Sequence, residues 1–236
     1  MTSQVLYRWP AAAKFGRVVP KTRFYERGGV TNAVRRKFVA DVQRITWAYK
    51  LAEATVHLRG DAAVPEIQVF VVDAKDEDVS DDVLTAIDKA VQFPLIFEIN
   101  RGAEEQAHTR MVAAYKRLGG AKARTSAYFS TAWQSGDVAR VPLPPALELP
   151  SLYAALLVPL LPVTPLPGEP LADATERVER KAKLEREIVS LDRRLRKEPQ
   201  LNRKVELRRQ IHACRDELAV VLDPRRPKSK GPQWTS

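Results

Sequence analysis

A chain of 236 residues with 44% hydrophobic side chains is long enough to bury a core and too apolar for wholesale disorder. Its 39 Lys and Arg against 29 Asp and Glu leave a net charge of +10, which suits a polyanion or an acidic protein surface. Cys214 is the only cysteine, which excludes an intramolecular disulfide and a zinc site built on cysteines.

Residues 1–30 read as irregular, punctuated by Pro10, Pro20 and Gly28-Gly29. Arg and Lys alternate there with Tyr7, Trp9, Phe15, Phe24 and Tyr25. Such a segment suits nucleic acid, and equally suits aromatics that cap a core. No secretory apolar region occurs in 1–20, so a cytoplasmic location is expected.

Thr31 is a good N-cap, and Val34, Phe38, Val39, Val42, Ile45 and Tyr49 follow at helical spacing, which predicts one helix over 32–51. A short strand is expected over 55–58. A central one is expected over 66–72, where the run is continuously apolar. Ser80 opens a helix over 79–91 with Val83, Leu84, Ile87 and Val91 as its stripe. Strands over 94–99, 110–116 and 125–132 complete an α/β domain spanning 1–141. The predicted fold class is α+β, a mixed and largely antiparallel sheet with helices on one face.

Nine prolines mark 142–170 as a linker, inside which 152–161 reads as a short apolar docking helix. The longest apolar stretch, 152–163, is broken by Pro159 and Pro162 and is too short to span a bilayer. Over 171–222, Leu184, Ile188, Leu191 and Leu195 repeat at coiled-coil spacing. So do Leu207, Ile211, Cys214, Leu218 and Val221, with Pro199 between the two runs. An antiparallel helical hairpin follows, with Cys214 as a small thiol in its seam, and then a disordered basic tail over 223–236.

From residue 171 onward, 18 Lys and Arg stand against 11 Asp and Glu, so +7 of the net charge lies in the hairpin and tail. Arg193, Arg194, Arg196 and Lys197 cluster at the turn, with Arg203 and Lys204 opposite, a plausible phosphate contact. The bland alternative is a solvated coiled coil with Glu/Arg pairs along its faces.

Catalytic patterns are scarce. His57, His108 and His212 have no metal-ligand spacing, and neither a phosphate-binding glycine loop nor a GxSxG elbow occurs. No cofactor or metal is expected. Glu66 and Gln68, with Asp61 upstream and Asp73 and Lys75 beyond, are weak candidates for a magnesium nuclease, which pairs carboxylates with a polarising cation. Gln68 stands where the cation belongs, so strand-end charges are the plainer reading.

The runs Ile45-Thr46-Trp47-Ala48-Tyr49-Lys50-Leu51, Glu66-Ile67-Gln68-Val69-Phe70 and Ile87-Asp88-Lys89-Ala90 resemble a bacterial family known as a domain of unknown function, number forty-three ninety-one. Phe93-Pro94-Leu95-Ile96-Phe97-Glu98, Ala114-Tyr115-Lys116, Thr131-Ala132-Trp133 and the turn from Gln200 to Leu207 extend the resemblance over nearly the whole chain. Pro199 departs from the acidic-basic pattern expected at that turn. The resemblance implies genes beside helicases and DNA methyltransferases, in loci like restriction and anti-phage defence systems. It supplies no catalytic residues.

The expected role is therefore a non-catalytic accessory subunit of a helicase- or methyltransferase-containing complex, contacting DNA or a large protein partner and no membrane. A cryptic magnesium nuclease is one alternative. The other is a structural adaptor, with the hairpin pairing with a partner or a second copy.

Overall fold

The structure, a computed structural model, describes residues 5–27, 29–102, 107–118 and 124–223. The chain divides into two compact units, Met1–Pro167 and Gly168–Ser236.

The first unit is built on a sheet of seven strands among the described residues: β1 (Lys14–Val18), β2 (Val42–Leu51), β3 (Ile67–Ala74), β4 (Leu95–Arg101), β5 (His108–Arg117), β6 (Arg124–Ser130) and β7 (Gln134–Ser135). The strands lie in sequence order from β1 to β6, and β7 pairs with β5. Every pairing is antiparallel except β3 with β4, where Phe70 lies opposite Phe97 and Asp73 opposite Asn100. A parallel pair needs a crossover, and α4 (Asp81–Ala90) supplies it.

Side chains alternate across a strand, so the two faces can be read off the registers. Phe70, Val72, Phe97, Ile99 and Val112 point to one face and join the core formed by Phe24 of α1 (Thr22–Arg27), Phe38 of α2 (Asn32–Asp41), and Val83, Leu84 and Ile87 of α4. Ile96, Glu98, Met111 and Ala113 point the other way and are also buried. That face is covered from both ends of the unit: Trp9 Nε1 donates to Glu98 at 2.7 Å, and Tyr153 of α5 (Leu149–Leu157) stacks on Tyr115.

Three sequence expectations are corrected. The helix predicted over 32–51 ends at Asp41, and 42–51 is strand β2. Val42, Ile45, Ala48 and Leu51 are its buried residues, a period of three that imitates a helical stripe. Register shifts at 42/44 and 47/49 produce that period, while Ile45, Thr46, Trp47 and Tyr49 are strand formers. The strand expected over 55–58 is instead one helical turn, α3 (Glu53–Val56), stopped by His57 in the left-handed region at φ 55°. Finally, 1–30 contains β1, all of whose residues are exposed and which therefore carries no alternating apolar signal.

The second unit is a helical hairpin of α6 (Leu171–Lys197) and α7 (Leu201–Leu222), with Pro199 in the break between them. Leu191, Leu207 and Ile211 form its buried seam, flanked by Ile188, Leu195 and Cys214. Burial pushes the Cys214 thiol above its ordinary pKa, as a seam position requires. The tail expected beyond Asp223 lies outside the described residues. Among the described residues no helix is long and apolar enough to cross a membrane.

Candidate nucleic-acid interface

The hairpin brings the six cations picked out from sequence to one end. Arg193, Arg194, Arg196 and Lys197 lie in the last two turns of α6, and Arg203 and Lys204 lie in the first turn of α7. All but the half-buried Lys204 are exposed. Among the described residues none of the six makes an ion pair, whereas cations elsewhere on the hairpin do. Arg180 meets Glu217 across the seam at 2.7 Å, Lys181 meets Glu185 at 3.3 Å, and Arg215 faces Asp192 at 3.8 Å. Glu198 is the one carboxylate between 193 and 204, and it accepts from the backbone N–H of Gln200.

Helix electrostatics accounts for only part of this cluster. Cations in the last turn of α6 are favoured by its dipole, while Arg203 and Lys204 oppose that of α7, whose first turn holds no acid. Arg193, Arg194 and Lys197 also share one open groove on α6 with Arg186, the half-exposed Val189 and Glu185, whose carboxylate is paired with Lys181.

The carboxylates weighed for a nuclease are dispersed and engaged. Glu66 stands just ahead of β3, buried, paired with Lys50 at 2.7 Å and accepting from Gln68 Nε2. Asp73 lies at the far end of the same strand, seven residues or about 23 Å away at the rise of an extended chain. It accepts from Arg44 Nε at 2.8 Å and Asn100 Nδ2 at 3.0 Å. Asp61 caps a turn by accepting from the N–H groups of Ala63 and Val64. Lys75 donates to the carbonyl of Val39. No group of three His, Cys, Asp or Glu able to hold a metal occurs among the described residues.

Sequence reasoning missed a buried ion pair. Lys116, 3% exposed, turns inward from β5 and pairs with Asp88, 4% exposed, in the last turn of α4. Its ammonium also donates to the carbonyls of Asp88, Val91 and Phe93 at 2.7, 2.8 and 3.1 Å, while Tyr128 Oη donates to Asp88 at 3.1 Å. Burial pushes the Asp88 carboxyl up and the Lys116 ammonium down, against their mutual attraction. The signal was present: Asp88 follows Leu84 by four residues on the apolar stripe, and Lys116 shares the parity of Val112.

This pair fixes one wall of a groove of about 750 Å³ on the helix-covered face of the sheet. Lys89, Val91, Gln92 and Phe93 form that wall, Val19, Arg23 and Phe24 the other, and Trp47, Gln68 and Phe70 the floor. Trp47 and Phe70 are neighbours across β2 and β3, near-parallel at 7° with ring centroids 6.1 Å apart.

No curated protein and no solved structure matches the chain. One family profile does, over residues 8–218, which takes in the sheet, α6 and all but the last turn of α7. The chain therefore belongs to the family described as Domain of unknown function (DUF4391).

Proposed function

We propose that this protein is a non-catalytic subunit of a DNA-acting assembly and that its hairpin tip is the nucleic-acid contact. The observation carrying this reading is the set of six cations at one end of the hairpin without a carboxylate partner among the described residues, beside paired cations further along. Leaving Arg203 and Lys204 against the dipole of α7 costs stability that a phosphate partner would return. The assembly that the family resemblance implies is a helicase- or methyltransferase-containing anti-phage defence complex.

Fluorescence anisotropy with labelled single- and double-stranded DNA over a series of salt concentrations tests the contact. Replacing the six tip residues with Glu is expected to abolish binding, and the slope of log affinity against log salt in the native chain should be steep. Retention of native affinity by the substituted protein would remove the proposal. A protein adaptor is the second reading, favoured by the exposed apolar side chains Val189, Leu201 and Val205 on the same hairpin. Sedimentation measurements of the free chain, with Val189→Asp and Val205→Asp as controls, test self-association through that surface.

A further inference from the structure

The groove in the first unit combines features that meet in one kind of ligand. Its floor is aromatic, its rims carry Arg23 and Lys89, and among the described residues no carboxylate lines it. It therefore suits an anion attached to a flat ring. Its volume, about 750 Å³, falls within the roughly 300–1,000 Å³ of small-molecule sites.

Gln68 makes the argument specific. It lines the groove and is only 4% exposed. Lys50 holds Glu66, and Glu66 accepts from Gln68 Nε2, so the amide is oriented by a chain of polar contacts. Its amide oxygen accepts from no described group and is left available to a ligand. Gln68 lines the groove beside Trp47 and Phe70, and every nucleobase offers an N–H donor on its pairing edge.

We propose that this groove binds one unpaired nucleotide, its base over the partly exposed Trp47 ring and against the Gln68 amide, and its phosphate between Arg23 and Lys89. A base inside a duplex is stacked and paired, so only an unpaired one reaches the floor. The Lys116–Asp88 pair serves as a positioning device, because it holds the carbonyls of Asp88, Val91 and Phe93 and with them the wall that carries Lys89 and Gln92. The inference uses none of the hairpin residues and stands whether or not the tip contacts DNA.

Tryptophan fluorescence of the full chain, titrated with deoxynucleoside monophosphates and with ribose 5-phosphate as a base-free comparison, tests it. Saturable quenching by the nucleotides is expected, and none by ribose 5-phosphate at the same concentrations. Gln68→Leu should weaken binding about tenfold, the equivalent of one hydrogen bond to a buried group. Arg23→Glu combined with Lys89→Glu, both at exposed positions, should weaken it at least as much. The chain with all six tip cations replaced should bind nucleotides like the native one. In that chain, tighter binding of a short oligothymidylate identifies a strand as the source of the nucleotide, and equal binding identifies a free nucleotide. Absence of saturable quenching, equal competition by ribose 5-phosphate, or native affinity in the Arg23/Lys89 variant would overturn the proposal.

Discussion

Lys116 and Asp88 meet inside the first unit, one from a strand and one from the end of a helix, and neither side chain is more than 4% exposed. The ammonium has four acceptors there, the carboxylate and three main-chain carbonyls at the C-terminal end of α4. It thus closes a helix end that would otherwise leave carbonyls unsatisfied in the interior.

Lys116→Met is expected to destabilise the protein by about 3–5 kcal/mol, because it strands a buried carboxylate. Combining it with Asp88→Leu should recover part of that loss. Chemical unfolding of the two single variants and the double variant measures the coupling directly. Additive losses would mean that the two groups do not act as a pair.

Glu98 offers a second buried carboxylate, held by Trp9 and by a two-pronged contact from Arg140 at 2.6 and 3.0 Å. That contact raises the Arg140 guanidinium pKa. Arg140→Ala should cost about 2 kcal/mol, less than a fully buried pair because the Arg140 side chain is 35% exposed. Glu98→Gln, which keeps an acceptor for Trp9, should cost less than Glu98→Ala in the same unfolding experiment.

Tyr153 predicts an alkaline signature. Its hydroxyl donates to the Ala114 carbonyl at 2.8 Å and accepts from the Lys116 N–H at 3.1 Å, and burial raises its pKa above the ordinary 10.0. Above pH 10 the unfolded chain releases this proton and the folded chain keeps it, so the stability it contributes falls as pH rises. Native protein should exceed Tyr153→Phe by about 1 kcal/mol at pH 9. That margin should then shrink by about 1.4 kcal/mol per pH unit above 10. A margin constant from pH 9 to 11.5 would show that the phenol titrates normally.

Gly60 tests the turn that Asp61 caps. A Cβ there would lie 2.7 Å from the Pro65 carbonyl oxygen and 2.8 Å from the Pro65 Cα, both main-chain atoms. Gly60→Ala should therefore lower stability by about 1–3 kcal/mol through forced backbone movement. A thermal midpoint equal to the native one would show that the 60–65 turn yields freely.

The hairpin was legible because its heptad spacing and the break at Pro199 depend only on local sequence, and α6 and α7 follow them. The central strand β3 and helix α4 were legible for similar reasons, one a continuous apolar run and the other a capped stripe. Strand β2 was not, because its burial repeats every third residue after register shifts that only pairing with β3 creates. Edge strand β1 buries nothing and so leaves no pattern. The six tip cations were visible as a cluster, but their lack of acidic partners among the described residues needed the geometry of the two helices. The groove around Gln68 was invisible, since its walls come from segments as far apart as 19–24 and 89–93.

The Trp9–Glu98–Arg140 contact also sets an order of events during synthesis. Trp9 is made 89 residues before Glu98, and Arg140 follows 42 residues after it. When β4 emerges from the ribosome, one partner of its inward carboxylate has long been waiting and the other does not yet exist. The sheet's second face cannot seal until Arg140 arrives, Tyr7 bridges to Val141 and, later still, Tyr153 is made to stack on Tyr115. Through that interval Trp9 and the apolar side chains of this face stay open to water and to other chains, the condition in which an unfinished domain is most prone to aggregate.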